Sequence, residues 1–185
     1  MIDEKSLLVE VKKYLNKARH GDIEHTLNVV KLIKEILKKE KGDFEVLIPV
    51  AYLHDVGYSG LFRGGEKLGK TNWHSKLEEH MVKGKQISIE ILSKLRFPKR
   101  LIERISLMVG VHDDWYNNSD YEVGIFMDAD NLSKLDAKHV REKFDDPKDV
   151  IEMWERDMPK RLKTKTGKKL YPELMAKLKK ELGIE

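Results

Sequence analysis

The 185-residue chain contains no cysteine, which excludes disulfides, iron–sulfur clusters and thiolate zinc sites. Any bound metal would therefore need histidine, carboxylate or carbonyl ligands. No apolar run approaches the roughly 18 residues that a membrane span requires, and no pair of segments has the alternation typical of paired strands. The N-terminal residues Met1–Lys5 are polar and acidic, unlike a secretory signal, so a cytoplasmic location without membrane contact is expected.

Neither sign of charge dominates the chain as a whole, because 36 Lys and Arg residues oppose 32 Asp and Glu residues for a formal net charge of +4. The segment 155–185 has ten basic and five acidic residues, so it carries +5 and the remaining 154 residues sum to −1. A near-neutral body with a basic C-terminal end is less suited to wrapping nucleic acid than to binding a phosphate-bearing substrate.

Helical periodicity runs through almost the whole chain and predicts an all-α fold. Asp22 is expected to cap the second helix. The apolar stretch Phe44–Leu53 contains Pro49, which predicts either a helix that starts near the proline or a kink. A basic loop is expected at Thr164–Lys169, followed by a last helix that opens at Pro172.

Histidine and aspartate recur along the successive predicted helices, in the order His25, His54–Asp55, His80, His112 and Asp130. His54 and Asp55 follow an apolar run, where polar groups are costly to bury unless they are paired or bind a metal. His112 and Asp130 share the apolar stripes of their own helices. Any one of these histidines could be an ordinary core residue, but the set predicts a metal site.

Four other polar residues are expected outside the set of ligands. Asp128 lies about 200° around the helix from Asp130, so a supporting or surface position is expected. His20 and His139 are expected at the surface. His74 is an outside candidate that would face the glycine-rich loop or the substrate.

The ordered set resembles the HD-domain superfamily of metal-dependent phosphohydrolases. Four stretches of the sequence are similar to the family's motifs: EHTLNVVKLI at 24–33, AYLHDVGY at 51–58, EEHMVKGKQISIEIL at 78–92 and FMDADNLSKL at 126–135. The resemblance implies a single-domain helical bundle over 1–185. Its HD core would span about 20–136, and a basic C-terminal helical appendage would span about 147–185.

The resemblance also implies the ligands and the chemistry. His25, His54, Asp55 and Asp130 would hold a first ion, His80 and His112 would add a second, and Asp55 would bridge them. One or two divalent ions are implied, drawn from Mn, Fe, Co, Ni, Zn or Mg. Such ions lower the pKa of bound water and stabilise charge on phosphoryl oxygens, with His54 and Asp55 as the catalytic residues.

The implied substrate is a nucleotide or another small phosphoester. The glycine-rich loop Gly57–Lys70 follows His54–Asp55 and contains Arg63, Lys67 and Lys70. These cations would either meet substrate phosphates or belong to a solvated loop.

Departures from known branches narrow the resemblance. The His-Asp-x-x-Glu form of the 5′-deoxynucleotidase branch is absent, and Tyr58 stands where the cyclic-di-GMP-hydrolysing branch has Lys. The acidic form of the alarmone hydrolases is also missing, so the sequence is most similar to small stand-alone HDIG-type proteins. Two other functions stay open: a catalytically idle metal- and nucleotide-binding regulatory domain, and an RNA- or nucleotide-binding protein that uses the basic tail 160–185. The sequence makes no prediction of the oligomeric state.

Overall fold

The computed structural model describes residues 3–62, 76–114 and 119–184, and the regular structure in these residues is entirely helical. The all-α prediction is therefore confirmed. The α-helices of the described residues are α1 (Glu4–Leu15), α2 (Asp22–Ile36), α3 (Phe44–Leu53), α4 (Leu77–Lys94), α5 (Lys99–Val109), α6 (Tyr121–Ser133), α7 (Ala137–Lys143), α8 (Pro147–Arg161) and α9 (Lys165–Leu182). A 3₁₀ turn at Val56–Tyr58 follows α3.

Helix α3 is the central helix of the core, packed against α1, α2, α5 and α6. Residues 46–53 are all buried, because this stretch is apolar on every side. The helix begins at Phe44 rather than near Pro49, which lies inside it. A proline inside a helix costs about 3 kcal/mol, and the burial of the whole segment offsets that cost. Helix α3 therefore delivers its C-terminal residues His54 and Asp55 to the interior.

The turn after α3 approaches α4 so closely that only glycine fits at position 57. A Cβ atom on Gly57 would overlap the backbone carbonyl of His80 and lie 2.6 Å from the backbone nitrogen of Gly84. This close contact places the first turn of α4 beside the end of α3. It therefore brings His80 towards His54 and Asp55, although these residues are far apart in sequence.

Two expected helix starts are wrong. The N-cap of α2 is Gly21, with φ of +80°, whereas Asp22 is the first helical residue and its carboxylate accepts hydrogen bonds from Arg19. Helix α9 begins at Lys165, so Thr164–Lys169 is not a loop and Pro172 lies inside the helix. Thr164 is its cap, because its hydroxyl oxygen accepts from the Gly167 amide.

The short helix α7 was not anticipated from the sequence. Asp136 caps it by accepting a hydrogen bond from the backbone N–H of His139. A seven-residue helix has too few turns to show a clear apolar period. It nevertheless buries His139, whose exposed fraction is 9%, so the prediction of a surface histidine is wrong there.

Helix α9 packs on α6, the helix that carries Asp128 and Asp130, and it also contacts α7 and α8. Asp128 of α6 is fully buried and accepts hydrogen bonds from the backbone of Lys163 and from both the backbone and hydroxyl of Thr164. The surface alternative for Asp128 is therefore wrong. Among the described residues, no helix is long and apolar enough to cross a membrane.

Candidate metal centre

Three helices converge on a first cluster, formed by His25, His54 and Asp130. His25 lies in the first turn of α2, His54 caps the C-terminus of α3, and Asp130 lies in α6. The Nε2 atoms of His25 and His54 are 3.2 Å apart, and Asp130 Oδ1 lies 3.0 Å from His25 Nε2 and 3.8 Å from His54 Nε2. All three side chains are buried, and their ligand atoms are close enough to hold one ion.

A second cluster is formed by Asp55, His80 and His112. The Nε2 atoms of His80 and His112 are again 3.2 Å apart. The ligand atoms of all three residues lie within 4.8 Å of one another. Asp55 Oδ2 also lies 3.3 Å from His54 Nε2 and 3.6 Å from His25 Nε2. Asp55 therefore adjoins both clusters, the position in which one carboxylate can bridge two ions.

Backbone carbonyls orient three of the four imidazole rings. The Nδ1 atoms of His54, His80 and His112 lie 2.9, 3.1 and 2.7 Å from the carbonyls of Ala51, Lys76 and Val109. A carbonyl oxygen can only accept, so these contacts assign the Nδ1 proton and leave Nε2 as the lone-pair nitrogen of each neutral ring. Helix α5 ends at Val109, and this ending allows the following turn to direct His112 back into the site.

Ser133 orients the fourth ring. Its hydroxyl donates to the backbone carbonyl of Asp130 at 2.7 Å and lies 3.1 Å from His25 Nδ1. Because its proton is used in the first bond, the hydroxyl oxygen accepts the second from His25 Nδ1–H. His25 Nε2 therefore also presents its lone pair to the centre. This arrangement, with Nδ1 bonded to a protein acceptor and Nε2 turned inwards, is usual for metal-binding histidines.

The donor set fits a divalent cation. Two neutral imidazoles whose Nε2 lone pairs face each other at 3.2 Å repel unless a proton or a metal lies between them. Burial disfavours a charge on His54, but Asp55 and Asp130 raise its pKa to about 9, so the first cluster retains a proton at neutral pH. Burial lowers the pKa of His25, and it lowers that of His112 to about 4. A bound cation would replace the His54 proton.

The carboxylates are ionised despite their burial. Burial opposes the charge on Asp55, yet the Arg19 guanidinium and then His54 hold its pKa well below the ordinary value. Burial likewise opposes the charge on Asp130, whose pKa is lowered by Lys134 and by the hydrogen bond with His25. Ionised carboxylates and neutral histidines are the forms that bind divalent metals.

Three residues that sequence reasoning missed lie at the edge of the centre. Asp113 Oδ2 is 3.3 Å from His80 Nε2 and 3.7 Å from His112 Nε2. Arg19 Nη2 donates to Asp55 Oδ2 at 2.6 Å, and Lys134 Nζ donates to Asp130 Oδ2 at 2.7 Å. Two signals were available: Asp113 repeats the adjacent His-Asp pattern of 54–55, and Lys134 is four residues after Asp130 on one helix face.

The remaining sequence-predicted residues have different positions. Arg63, Lys67 and Lys70, together with His74, lie outside the described residues. His139 packs against His25 with ring centroids 5.3 Å apart, and burial lowers its pKa, so it is a neutral core residue beside the first cluster. His20 is exposed, as expected.

Comparison with known proteins adds one match. The family model for the HD domain matches residues 22–135, which is more than half of the chain and includes all six proposed metal ligands. No match was found among curated proteins, and none among solved structures.

Proposed function

Because the chain belongs to the HD domain family, we propose that it is a metal-dependent phosphohydrolase acting on a nucleotide or another small phosphoester. In the reaction, a water oxygen forms a bond to phosphorus while the ester P–O bond breaks, and a proton goes to the leaving oxygen. The observation that carries the proposal is the pair of facing Nε2 contacts with Asp55 between them. A site built to bind one ion would need only one such pair.

The proposed ligands divide between two ions. His25, His54 and Asp130 would hold one ion, His80 and His112 would hold the other, and Asp55 would contact both. When bound, divalent ions supply activation of water and neutralisation of charge on phosphoryl oxygens. Imidazole and carboxylate ligands suit Mn, Fe, Co, Ni, Zn and Mg, so the ligand type alone does not choose among these ions.

The chain's own residues would keep the site in one geometry. The carbonyls of residues 51, 76 and 109 hold three imidazole rings, and Ser133 holds the fourth. Such outer hydrogen bonds commonly change metal affinity or activity by about 10- to 100-fold. Burial of the aspartates and histidines limits access of bulk water to the centre, which strengthens every electrostatic contact inside it.

The test is metal analysis of the purified protein followed by turnover of a phosphoester panel. The protein would be stripped with a chelator and reloaded in turn with Mn, Co, Ni, Zn or Mg, and phosphate release from nucleotides and small esters would be measured. We expect activity with at least one ion and its loss in Asp55→Asn. The matched control is Asp157→Asn, because Asp157 is an aspartate paired with Arg156 on α8.

Three outcomes would count against the proposal. Turnover that survives Asp55→Asn would exclude the centre as the site of reaction. Metal and nucleotide binding without turnover on any member of the panel would instead favour a regulatory, ligand-sensing domain. Nucleic-acid binding that weakens steeply with salt and is lost when residues 160–185 are deleted would favour an RNA- or nucleotide-binding protein that uses the basic tail.

A further inference from the structure

Arg19 is held at the centre by a carboxylate that belongs to neither metal cluster. Its Nε atom lies 3.1 Å from both carboxylate oxygens of Asp22, and its backbone N–H donates to the same group. Asp22 is itself buried and also pairs with Lys143. Arg19 precedes the segment 22–135 that the family model matches, so the match assigns it no role.

Stacking fixes the plane of the Arg19 guanidinium. Its central carbon lies 3.6 Å from the centroid of the Tyr58 ring, and that ring stacks on His80 at 4.0 Å with an interplanar angle of 6°. A guanidinium that is held by a carboxylate at one end and by an aromatic face below has little freedom to rotate. Its outer nitrogens therefore point in a defined direction at the metal centre.

The outer end of Arg19 shares an atom with the proposed metal ligands. Nη2 donates to Asp55 Oδ2 at 2.6 Å, and this oxygen is also within 3.6 Å of two lone-pair nitrogens of the first cluster. A divalent ion on those nitrogens would compete for the oxygen and repel the guanidinium. Among contacts within the described residues, Arg19 donates from Nε and Nη2, and its side chain remains 13% exposed.

The charge of the loaded centre calls for an anion. Asp55, Asp130 and Asp113 contribute three negative charges, and Arg19 and Lys134 contribute two positive charges. With neutral histidines the centre is thus singly negative, and it becomes positive when either one or two divalent ions bind. A phosphoryl group, with several anionic oxygens, matches both this charge and the planar N–H donors of arginine.

We propose that Arg19 is a substrate-binding residue that donates its outer N–H groups to a phosphoryl oxygen when Asp55 is engaged by metal. The inference rests on the proposed function. The bond to Asp22 keeps the guanidinium in place while its contact changes from Asp55 to the substrate. In the variant Arg19→Met, Asp22 stays paired with Lys143, so the substitution does not leave the buried Asp22 carboxylate without a partner.

The test measures binding of inorganic phosphate to the Mn²⁺-loaded protein by calorimetry, together with Mn²⁺ stoichiometry and the unfolding midpoint. Arg19→Met should weaken phosphate binding about tenfold or more, the effect of losing a charge-assisted hydrogen bond. Its Mn²⁺ stoichiometry should equal that of the wild type, since a competing cation is removed rather than a ligand. Arg19→Lys should weaken phosphate binding less than Arg19→Met does, because lysine keeps the positive charge but cannot contact Asp22 and the phosphate at the same time.

The matched control is Arg104→Met. Arg104 lies on α5 and pairs with Asp43 and Glu122, away from the centre, so phosphate binding should equal that of the wild type. Unchanged phosphate affinity in Arg19→Met would overturn the inference, as would parallel loss of Mn²⁺, which would make Arg19 a support for the metal site. If Arg19→Met does not fold, unchanged phosphate affinity in Arg19→Lys would overturn it. Phosphate binding needs no turnover, so a protein that fails the phosphoester panel can still bear out the role of Arg19.

Discussion

Replacing Asp128 with alanine should lower the free energy of unfolding by about 3 to 4 kcal/mol, although Asp128 belongs to neither metal cluster. The carboxylate accepts from the Lys163 amide at 2.8 Å, the Thr164 amide at 2.8 Å and the Thr164 hydroxyl at 2.7 Å. Asp128 is fully buried and Thr164 is 1% exposed. The substitution therefore leaves buried donors without an acceptor on the segment that joins α8 to α9.

The magnitude follows from which bonds water can replace. A hydrogen bond to a charged group contributes about 1.5 to 3 kcal/mol. The bond from the Lys163 amide is only part-buried, so water can replace it, whereas the buried amide and hydroxyl of Thr164 lose their acceptor. Two bonds at the lower end of the range give the estimate of about 3 to 4 kcal/mol. For a chain of this length that corresponds to a fall of roughly 6 to 16 °C in the melting temperature.

Single substitutions at Thr164 and Gly167 test the same contacts from the start of α9. Thr164→Val removes the hydroxyl that caps α9 by accepting from Gly167, and it should cost about 1 to 2 kcal/mol. The double variant should lose about 1 kcal/mol less than the sum of the single variants, because both remove one shared bond. Gly167→Ala should also destabilise, since a Cβ atom there would overlap the Asp128 carboxylate.

The assay is urea denaturation followed by circular dichroism, with metal content held constant across the variants. The control Asp157→Ala, at an ion pair with Arg156 on α8, should stay within about 0.5 kcal/mol of the wild type. An Asp128→Ala protein within about 1 kcal/mol of the wild type would refute the reasoning. So would additive losses in the double variant, because they would show that the two side chains act separately.

Three further predictions concern the metal centre. Mn²⁺ at 100 times its dissociation constant should raise the free energy of unfolding by about 2.7 kcal/mol, and a thermal scan that finds the same gain in Asp55→Asn would contradict the ligand assignment. Asp113→Asn should weaken binding of the second ion about tenfold or more in Mn²⁺ titrations while the first ion still binds, because it removes a negative charge beside the Nε2 atoms of His80 and His112; two unaffected ions would exclude Asp113. Burial lowers the pKa of His112 to about 4, below its unfolded value of about 6.5. The stability from neutral His112 is therefore present above pH 6.5 and lost as the pH falls towards 4, by about 3 kcal/mol. In chelator-treated protein, denaturation curves of His112→Gln should show a shallower pH dependence than the wild type, and equal slopes would contradict the assignment.

The helical class and the motif residues could be predicted from the sequence because both depend on local patterns. Apolar periodicity indicates a helix wherever it spans several turns, and this held for α2 and α6. It failed for α7, which is too short to show a period, and for the start of α9, where the cap at Thr164 is recognisable only once Gly167 and Asp128 are seen to contact it. The expectation that α3 would start near Pro49 was wrong for a related reason, because burial of the whole segment outweighs the local cost of a proline inside a helix.

The sequence by itself determined that histidine and aspartate would recur in the order of a known motif family, and that any metal ligands would be nitrogen and oxygen. Only the tertiary structure decided that His25 and His54 face each other, that Asp55 adjoins both clusters, and that Arg19 reaches the centre. These contacts join residues up to dozens of positions apart. Their distances are set by packing, such as the approach of Gly57 to α4, and packing depends on the whole core rather than on any local stretch of sequence.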